Sequence, residues 1–203
     1  MLENAGSRRA ALLTIVTVLG TTVAAALAPG RQVAESVMAQ DQPVTVYIVR
    51  HAERASTHPT DPPLDSIGKV RAIALRETLR DAGVSAIYVT QYIRNRETAA
   101  PLAEALGLEV REVRVEGSIS DHAREVARML IEDHRGEAVV VVGHSNTIGP
   151  IARALGADAP GALEDHEYEH LFIVSTDGTT PVRFVRARFG PPNPPPRETP
   201  HMR

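Results

Sequence analysis

A short, almost wholly apolar run, AVVVVG at residues 138–143, is the feature that most constrains the fold of this chain. A run of this length that is rich in β-branched residues is typical of a strand buried on both faces, as in the centre of a parallel sheet. A similar run, PVTVYIV at 43–49, lies near the start of the folded region. Because parallel strands need long crossover connections, we expect helices between such runs.

The sequence from 43 to 189 alternates short apolar runs with helical patterns. In 64–83, the residues Ile67, Val70, Ala74, Leu75 and Leu79 fall on one helical face, which predicts that this face packs on the sheet. This alternation predicts an α/β fold, a three-layer sandwich with a mostly parallel central sheet and helices on both faces. Helices are predicted at 64–83, 95–107, 120–136 and 146–156, and the other strands at 85–90, 109–115, 170–175 and 181–189.

Both ends of the chain differ in composition from this middle. Two arginines, Arg8 and Arg9, precede an uncharged stretch at 10–28, which predicts either a cleaved signal peptide or an uncleaved membrane anchor. Either alternative predicts an exported domain, periplasmic or extracellular. The last residues, GPPNPPPRETPHMR, are too rich in proline for a helix or a central strand. The predicted organisation is a leader and linker at 1–39, one domain at 40–189 and a disordered tail at 190–203.

Composition excludes several classes of function. The 203 residues include no cysteine, so disulfides, thiolate metal sites and a cysteine nucleophile are excluded. The formal net charge of −3 and the absence of tryptophan argue against nucleic acid as a partner. No metal or organic cofactor is expected.

Groups that suit phosphate chemistry follow three of the predicted strands. Arg50 and His51 end the first strand, Arg94 follows the second, and His144 follows the third directly. Because ligands bind at the carboxyl ends of the strands in such sheets, we expect these side chains to converge. Arginine presents a fork of donors that matches phosphate oxygens, and a neutral imidazole can attack phosphorus. The pattern favours phosphoryl transfer through a phosphohistidine, with a second, protonated imidazole holding a phosphate oxygen.

A further helix is expected to begin directly after His144, with Ser145 or Asn146 as its cap. The free amide groups of such a helix start would add to an anion site. Ser145 is therefore a candidate substrate-binding residue beside the two arginines and His144.

Four segments in this order resemble the histidine phosphatase superfamily, the phosphoglycerate-mutase-like proteins, and the short layout is most similar to its small bacterial members. The segments are VRHAER, PPLDSIGKVRA, VTQYIRNRETAAPLAEALGL and VVGHSNTI, which together span roughly residues 44 to 156. The resemblance implies that His51 is the phosphorylated nucleophile and that Arg50, Arg94 and His144 hold the phosphate. It implies a phosphatase acting on a phosphorylated small molecule or a phosphoprotein, with Ala52 in place of the family's usual glycine.

The general acid is the least defined part of the predicted site. The residue after the second histidine, which supplies a carboxylate in some relatives, is Ser145 here. Glu116, just past the 109–115 strand, is the best-placed candidate in sequence, and Glu53 and Asp121 are alternatives. Without a strong acid, such an enzyme would favour substrates with good leaving groups.

Two other functions fit parts of the sequence. GHSNT partly matches the nucleophile elbow of serine esterases, with Ser145 as nucleophile, but Thr147 stands where that motif needs a glycine. A phosphate-binding protein of the same fold without catalysis is the second alternative. The cluster EDHEYEH, Glu164 to His170, could hold a metal ion, but a solvated loop is the favoured interpretation, and it could also form one wall of the pocket. His122 and His134 are expected to be solvated.

Overall fold

The computed structural model of the protein describes residues 42–179 and 181–193. The predicted leader at 1–39 and the end of the tail lie outside the described residues. Within them, no helix is both long enough and apolar enough to cross a membrane. The elements in chain order are β1 (Val44–Arg50), α1 (Ser66–Leu79), β2 (Val84–Val89), α2 (Ile93–Leu106), β3 (Val110–Glu112), α3 (Ile119–Asp133), β4 (Ala138–Gly143), α4 (Ile148–Ala154), β5 (His170–Thr176) and β6 (Arg183–Arg188).

The predicted α/β architecture is confirmed. Six strands form one mixed sheet in the order β3-β2-β4-β1-β5-β6. The first four strands in that order are parallel, whereas β5 and β6 form an antiparallel hairpin that pairs with β1. β1 and β4 are neighbours in register, with Arg50 opposite Gly143. The two strands that carry His51 and His144 therefore end side by side.

Helices cover both faces of the sheet, as predicted. On one face, α3 and α4 pack on alternate residues of β1 and β4 through Val126, Leu130 and Ile151. On the other face, α1 and α2 pack through Leu75 and Leu102. This alternation explains why β4 reads as a continuous apolar run, since successive side chains enter two different cores.

The predicted buried face of α1 is wrong at its first turn. Ile67 and Val70 are exposed, and the buried positions there are Gly68 and Arg71. A Cβ at position 68 would lie 2.2 Å from the carbonyl oxygen of Glu53, so only glycine lets the helix approach so closely. Arg71 is fully buried because it forms an ion pair with Glu53.

The helix α2 also begins earlier than predicted. Because it starts at Ile93, Pro101 lies well inside the helix rather than in its first turn. Pro101 cannot donate a helical hydrogen bond, but the flanking Ala99 and Leu102 are fully buried against the sheet. Their packing holds the helix together across the interruption.

Two histidines predicted to be solvated, His122 and His134, are buried. The Nε2 atom of His134 is 2.7 Å from the hydroxyl of Tyr88, and its Nδ1 atom is 2.6 Å from Glu137. His134 is thus a hydrogen-bonded histidine of the core, and its burial requires no functional role.

The segment after β6 packs on the domain at residues where a tail was predicted to begin. The backbone N–H of Phe189 donates to the carbonyl of Glu169, and Gly190 turns the chain with a φ of +70°. Asn193 forms hydrogen bonds with the backbone of Tyr168 and Glu169. The packed domain therefore extends to at least residue 193.

Candidate active site

The carboxyl ends of β1 and β4 bring the two predicted catalytic histidines together. The backbone N–H of His51 donates to the carbonyl of Gly143 at 2.9 Å, which fixes the two strand ends against each other. The imidazole rings of His51 and His144 lie with their centroids 5.3 Å apart. A Cβ at position 143 would lie 2.6 Å from the Thr147 hydroxyl, so glycine is required at this close approach.

His51 is buried and is held as a neutral imidazole. Burial lowers its pKa well below the ordinary 6.5, and the nearby positive charges act in the same direction. Its Nδ1 atom lies 2.8 Å from the carbonyl oxygen of Ala52, so Nδ1 must carry the hydrogen. This hydrogen bond leaves the lone pair on Nε2, which is the arrangement that a nucleophilic imidazole requires.

Arg50 is buried beside His51 and has no carboxylate partner among the described residues. Its Nη1 atom donates to the carbonyl oxygens of Glu164, Asp165 and Glu167 at 2.8, 3.2 and 3.0 Å. The ring of Tyr168 stacks on its guanidinium at 4.0 Å. Burial lowers the pKa of Arg50 below its ordinary value, but a guanidinium remains cationic at neutral pH.

Arg94 lies in the first turn of α2 and faces the same space. Its guanidinium stacks on Tyr92 at 4.3 Å and lies 3.4 Å from the carboxylate of Asp61. Asp61 also accepts the backbone N–H of Ile93, so it caps the helix that carries Arg94. Among the described residues, the Nε atoms of Arg50 and Arg94 are both buried without a hydrogen-bond partner. Two unpaired cationic donors at one site fit an anionic ligand.

His144 is positioned by Thr90 at the end of β2. Its Nε2 atom lies 2.8 Å from the hydroxyl of Thr90, so the ring nitrogen that remains for a ligand is Nδ1. Burial, followed by the charges of Arg94 and Arg50, lowers the pKa of His144 from 6.5 to about 4. His144 is therefore neutral at physiological pH while the pocket is empty.

Polar side chains on α2 attach this helix to the strand ends. The hydroxyl of Thr98 accepts the backbone N–H of Ala52 at 2.9 Å. The amide of Asn95 donates to the carbonyls of Val142 and Gly143. Both side chains are fully buried, and the sequence offered no sign of their role because their partners are far away in the chain.

The two histidines and the arginines Arg50 and Arg94 line an open cleft of about 450 Å³. Among the described residues that line it, Arg50, Arg54 and Arg94 are cationic, and Asp165 is the one carboxylate. The cleft is lined by Arg50, His51, Arg54, Gln91, Tyr92, Arg94, Val115, Ile119, His144, Ser145, Asn146, Thr147 and Asp165.

The structure does not bring the predicted general acid to the cleft. The Glu116 side chain is 79% exposed and lies 3.6 Å from Arg114, and its neighbour Val115 lines the cleft instead. Glu53 is occupied by Arg71, and Asp121 sits in the first turn of α3 with Ser118. The carboxylate at the cleft comes from the Glu164 to His170 cluster, which does form one wall.

Ser145 lines the cleft, but the helix expected after His144 begins later. α4 starts at Ile148, with Thr147 at the N-cap position, so its amides do not follow His144 directly. In the described part of the chain, no hydrogen bond joins the hydroxyl of Ser145 to an imidazole; the Nε2 atom of His144 is bonded to Thr90. The described residues also contain no cluster of three or more side chains suited to holding a metal ion.

Comparison with known proteins finds a family model that matches part of the chain. Residues 46–114, which contain Arg50, His51 and Arg94, match the family model of the histidine phosphatase superfamily, branch 1. No curated protein sequence matches the chain.

Solved structures share the fold at low sequence identity. The protein histidine phosphatase SixA, solved with tungstate, is 18% identical, with a TM-score of 0.56 over 71% of this chain and 96% of its own. YhfR of Bacillus stearothermophilus is 20% identical, with a TM-score of 0.56 over 71% of this chain and 96% of its own. The mycobacterial glucosyl-3-phosphoglycerate phosphatase Rv2419c is 16% identical, with a TM-score of 0.53 over 73% of this chain and 99% of its own.

Proposed function

We propose that the chain is a histidine phosphatase of the superfamily whose model matches residues 46–114, and that it hydrolyses phosphoric monoesters or phosphohistidine through a phosphohistidine formed on His51. The observation on which this depends most is the state of His51, which is neutral, with its hydrogen held on Nδ1 by Ala52. The two arginines beside it carry buried Nε donors without partners, which suits a phosphate group at the attack position.

The reaction has two displacements at phosphorus. In the first, the Nε2 lone pair of His51 forms a bond to phosphorus while the bond from phosphorus to the leaving oxygen breaks, and that oxygen gains a proton. In the second, a water oxygen bonds to phosphorus, the nitrogen–phosphorus bond breaks, and the proton of the water passes to a base. The products are inorganic phosphate and free His51.

Arg50, Arg94 and His144 stabilise the charge that develops on the phosphoryl oxygens. The arginines are fixed before substrate arrives, since one is held by three carbonyls and the other stacks on the ring of Tyr92. Such preorganised donors act in the transition state without a reorganisation cost. A bound phosphate raises the pKa of His144 above its value of about 4 in the empty pocket, which favours the protonated imidazole.

We assign proton transfer to Asp165, because it is the carboxylate among the described residues that line the cleft. Its backbone carbonyl binds Arg50, so its position is tied to the phosphate site. In the first displacement its carboxylic acid protonates the leaving oxygen, and in the second its carboxylate takes the proton of the attacking water. Because this single carboxylate at an open cleft is the proton source, the enzyme is expected to prefer substrates with good leaving groups.

The proposed substrate is a phosphorylated small molecule or a phosphoprotein that meets the enzyme outside the cytoplasm. Supporting observations are the open cleft and the apolar stretch at 10–28 that predicts export or anchoring. The same stretch leaves membrane association through the N-terminus as part of the proposal.

The decisive experiment is hydrolysis of p-nitrophenyl phosphate by the His51→Ala and Ser145→Ala variants. The proposal predicts that the first loses activity and forms no acid-labile phosphoenzyme, while the second keeps most of both. Unchanged hydrolysis by His51→Ala would exclude the proposed nucleophile.

The same variants separate the two alternatives. A serine esterase would hydrolyse p-nitrophenyl acetate and lose that activity in Ser145→Ala, yet Ser145 has no imidazole partner among the described residues. A protein that only binds phosphate would show neither activity but would bind vanadate.

A further inference from the structure

The wall of the cleft that holds Arg50 has no regular secondary structure of its own. Residues 164–168 form a turn between α4 and β5. The three carbonyls that fix the Arg50 guanidinium come from this turn, as does the Tyr168 ring that stacks on it. The orientation of Arg50 therefore depends on how firmly this turn is held.

The C-terminal segment holds the end of this turn through one side chain, Asn193. Its Oδ1 atom accepts the backbone N–H groups of Tyr168 at 2.8 Å and Glu169 at 3.0 Å. Its own N–H donates to the carboxylate of Glu169 at 3.1 Å. Because Tyr168 and Glu169 are buried, water could not accept hydrogen bonds from their N–H groups if the Asn193 side chain were removed.

The same segment is also attached to the loop after the nucleophile. The carbonyl of Phe189 accepts Nη1 of Arg71 at 2.9 Å, and Arg71 binds Glu53 close to His51. Between Phe189 and Asn193, Gly190 makes the turn, and two prolines restrict the backbone that presents the asparagine. One short segment thus connects both sides of the phosphate site.

We infer that Asn193 is a positioning residue for catalysis, acting through Tyr168 on Arg50. This inference rests on the proposed function, because it assigns Arg50 to the phosphate. The residue does not touch the substrate; it fixes the turn whose carbonyls and ring aim the guanidinium. The segment at 189–193 thereby supports the wall of the cleft.

The test compares Asn193→Ala with Asn193→Asp in the full chain. Alanine removes the acceptor for two N–H groups, and we expect roughly tenfold weaker vanadate binding and a similar rise in KM. Aspartate keeps an acceptor oxygen and should restore most of the affinity, because Arg188 beside Glu169 offsets the added charge. A purely structural role would lower the melting temperature and leave the KM of the folded protein unchanged, which would overturn the inference.

A double-mutant cycle with Tyr168→Leu tests the route. If Asn193 acts through Tyr168, the double variant loses little more vanadate affinity than Tyr168→Leu alone. Additive losses would overturn the route.

Vanadate binding also separates this inference from the proposed function. If the wild-type chain binds vanadate but hydrolyses no phosphoester, the proposed function fails. The role of Asn193 is then tested by the dissociation constants for vanadate alone. Equal constants for wild type and Asn193→Ala would then overturn the inference.

Discussion

Replacing Arg71 with methionine should destabilise the domain more than any change of a surface arginine. Arg71 has no exposed side-chain area, and Glu53 has 8%. Three N–H···O contacts of 2.6 to 3.1 Å join them. Methionine fills much of the space but leaves the Glu53 carboxylate buried without a partner. Breaking a buried pair in this way costs about 3–5 kcal/mol.

The assay is urea denaturation followed by circular dichroism, with the unfolding free energy extrapolated to water. Arg80→Met is the matched control, since Arg80 pairs with Glu77 on the surface and is 55% exposed. That control should cost less than about 1 kcal/mol. The double variant Glu53→Leu, Arg71→Met should recover most of the stability, because it removes both charges.

Two results would refute this reasoning. One is an Arg71→Met variant within about 1 kcal/mol of wild type, which would mean that the pair is not buried as described. The other is a double variant no more stable than Arg71→Met, since an orphaned carboxylate could not then be the cause.

Three further predictions concern the cleft. In a histidine NMR titration of the free protein, His144 should titrate near pH 4 and His51 should stay neutral through pH 6.5. In the unfolded chain these histidines take up protons near pH 6.5, whereas in the folded protein they do not. The unfolding free energy should therefore fall as the pH drops from about 6.5 towards 4. Titration of either folded ring near pH 6.5 would contradict this prediction. The Asp61→Asn variant keeps an oxygen that caps the helix, but it has no charge to compete with phosphate for Arg94. Calorimetry should therefore show phosphate binding up to about fivefold tighter than in wild type. Weaker binding would mean that Asp61 instead holds Arg94 in position for the phosphate. Asp165→Asn should lower hydrolysis of an alkyl phosphate about 100-fold and of p-nitrophenyl phosphate less than about tenfold, whereas equal losses would exclude a role in proton transfer.

The fold and the centre of the site follow from local sequence patterns. The β-branched runs at β1 and β4 predicted a buried parallel sheet, and the rule that ligands bind at strand ends predicted the meeting of His51 and His144. These features were predictable because each depends on residues that are close together in sequence.

The predictions that were wrong or missing concern residues whose burial or role depends on a partner far away in the sequence. The buried face of α1 was predicted from apolar spacing, but Gly68 and Arg71 are buried there instead. Position 68 is a glycine because it lies against the backbone of Glu53, and Arg71 is buried because it forms an ion pair with Glu53. Asp165 and Tyr168 were seen only as members of a charged cluster, because their contact with Arg50 joins segments far apart in the chain. No periodic pattern encodes such contacts.

The central place of β1 has a consequence for how the protein is made. This strand leaves the ribosome before the carbonyl of Glu164 that holds Arg50, which follows 114 residues later. The Phe189 carbonyl that binds Arg71 follows its partner by 118 residues. Contacts over such separations slow folding, because a long loop must close before they form. A nascent chain therefore carries its nucleophile long before it can build a phosphate pocket, and activity should arise only after the residues up to Phe189 have left the ribosome.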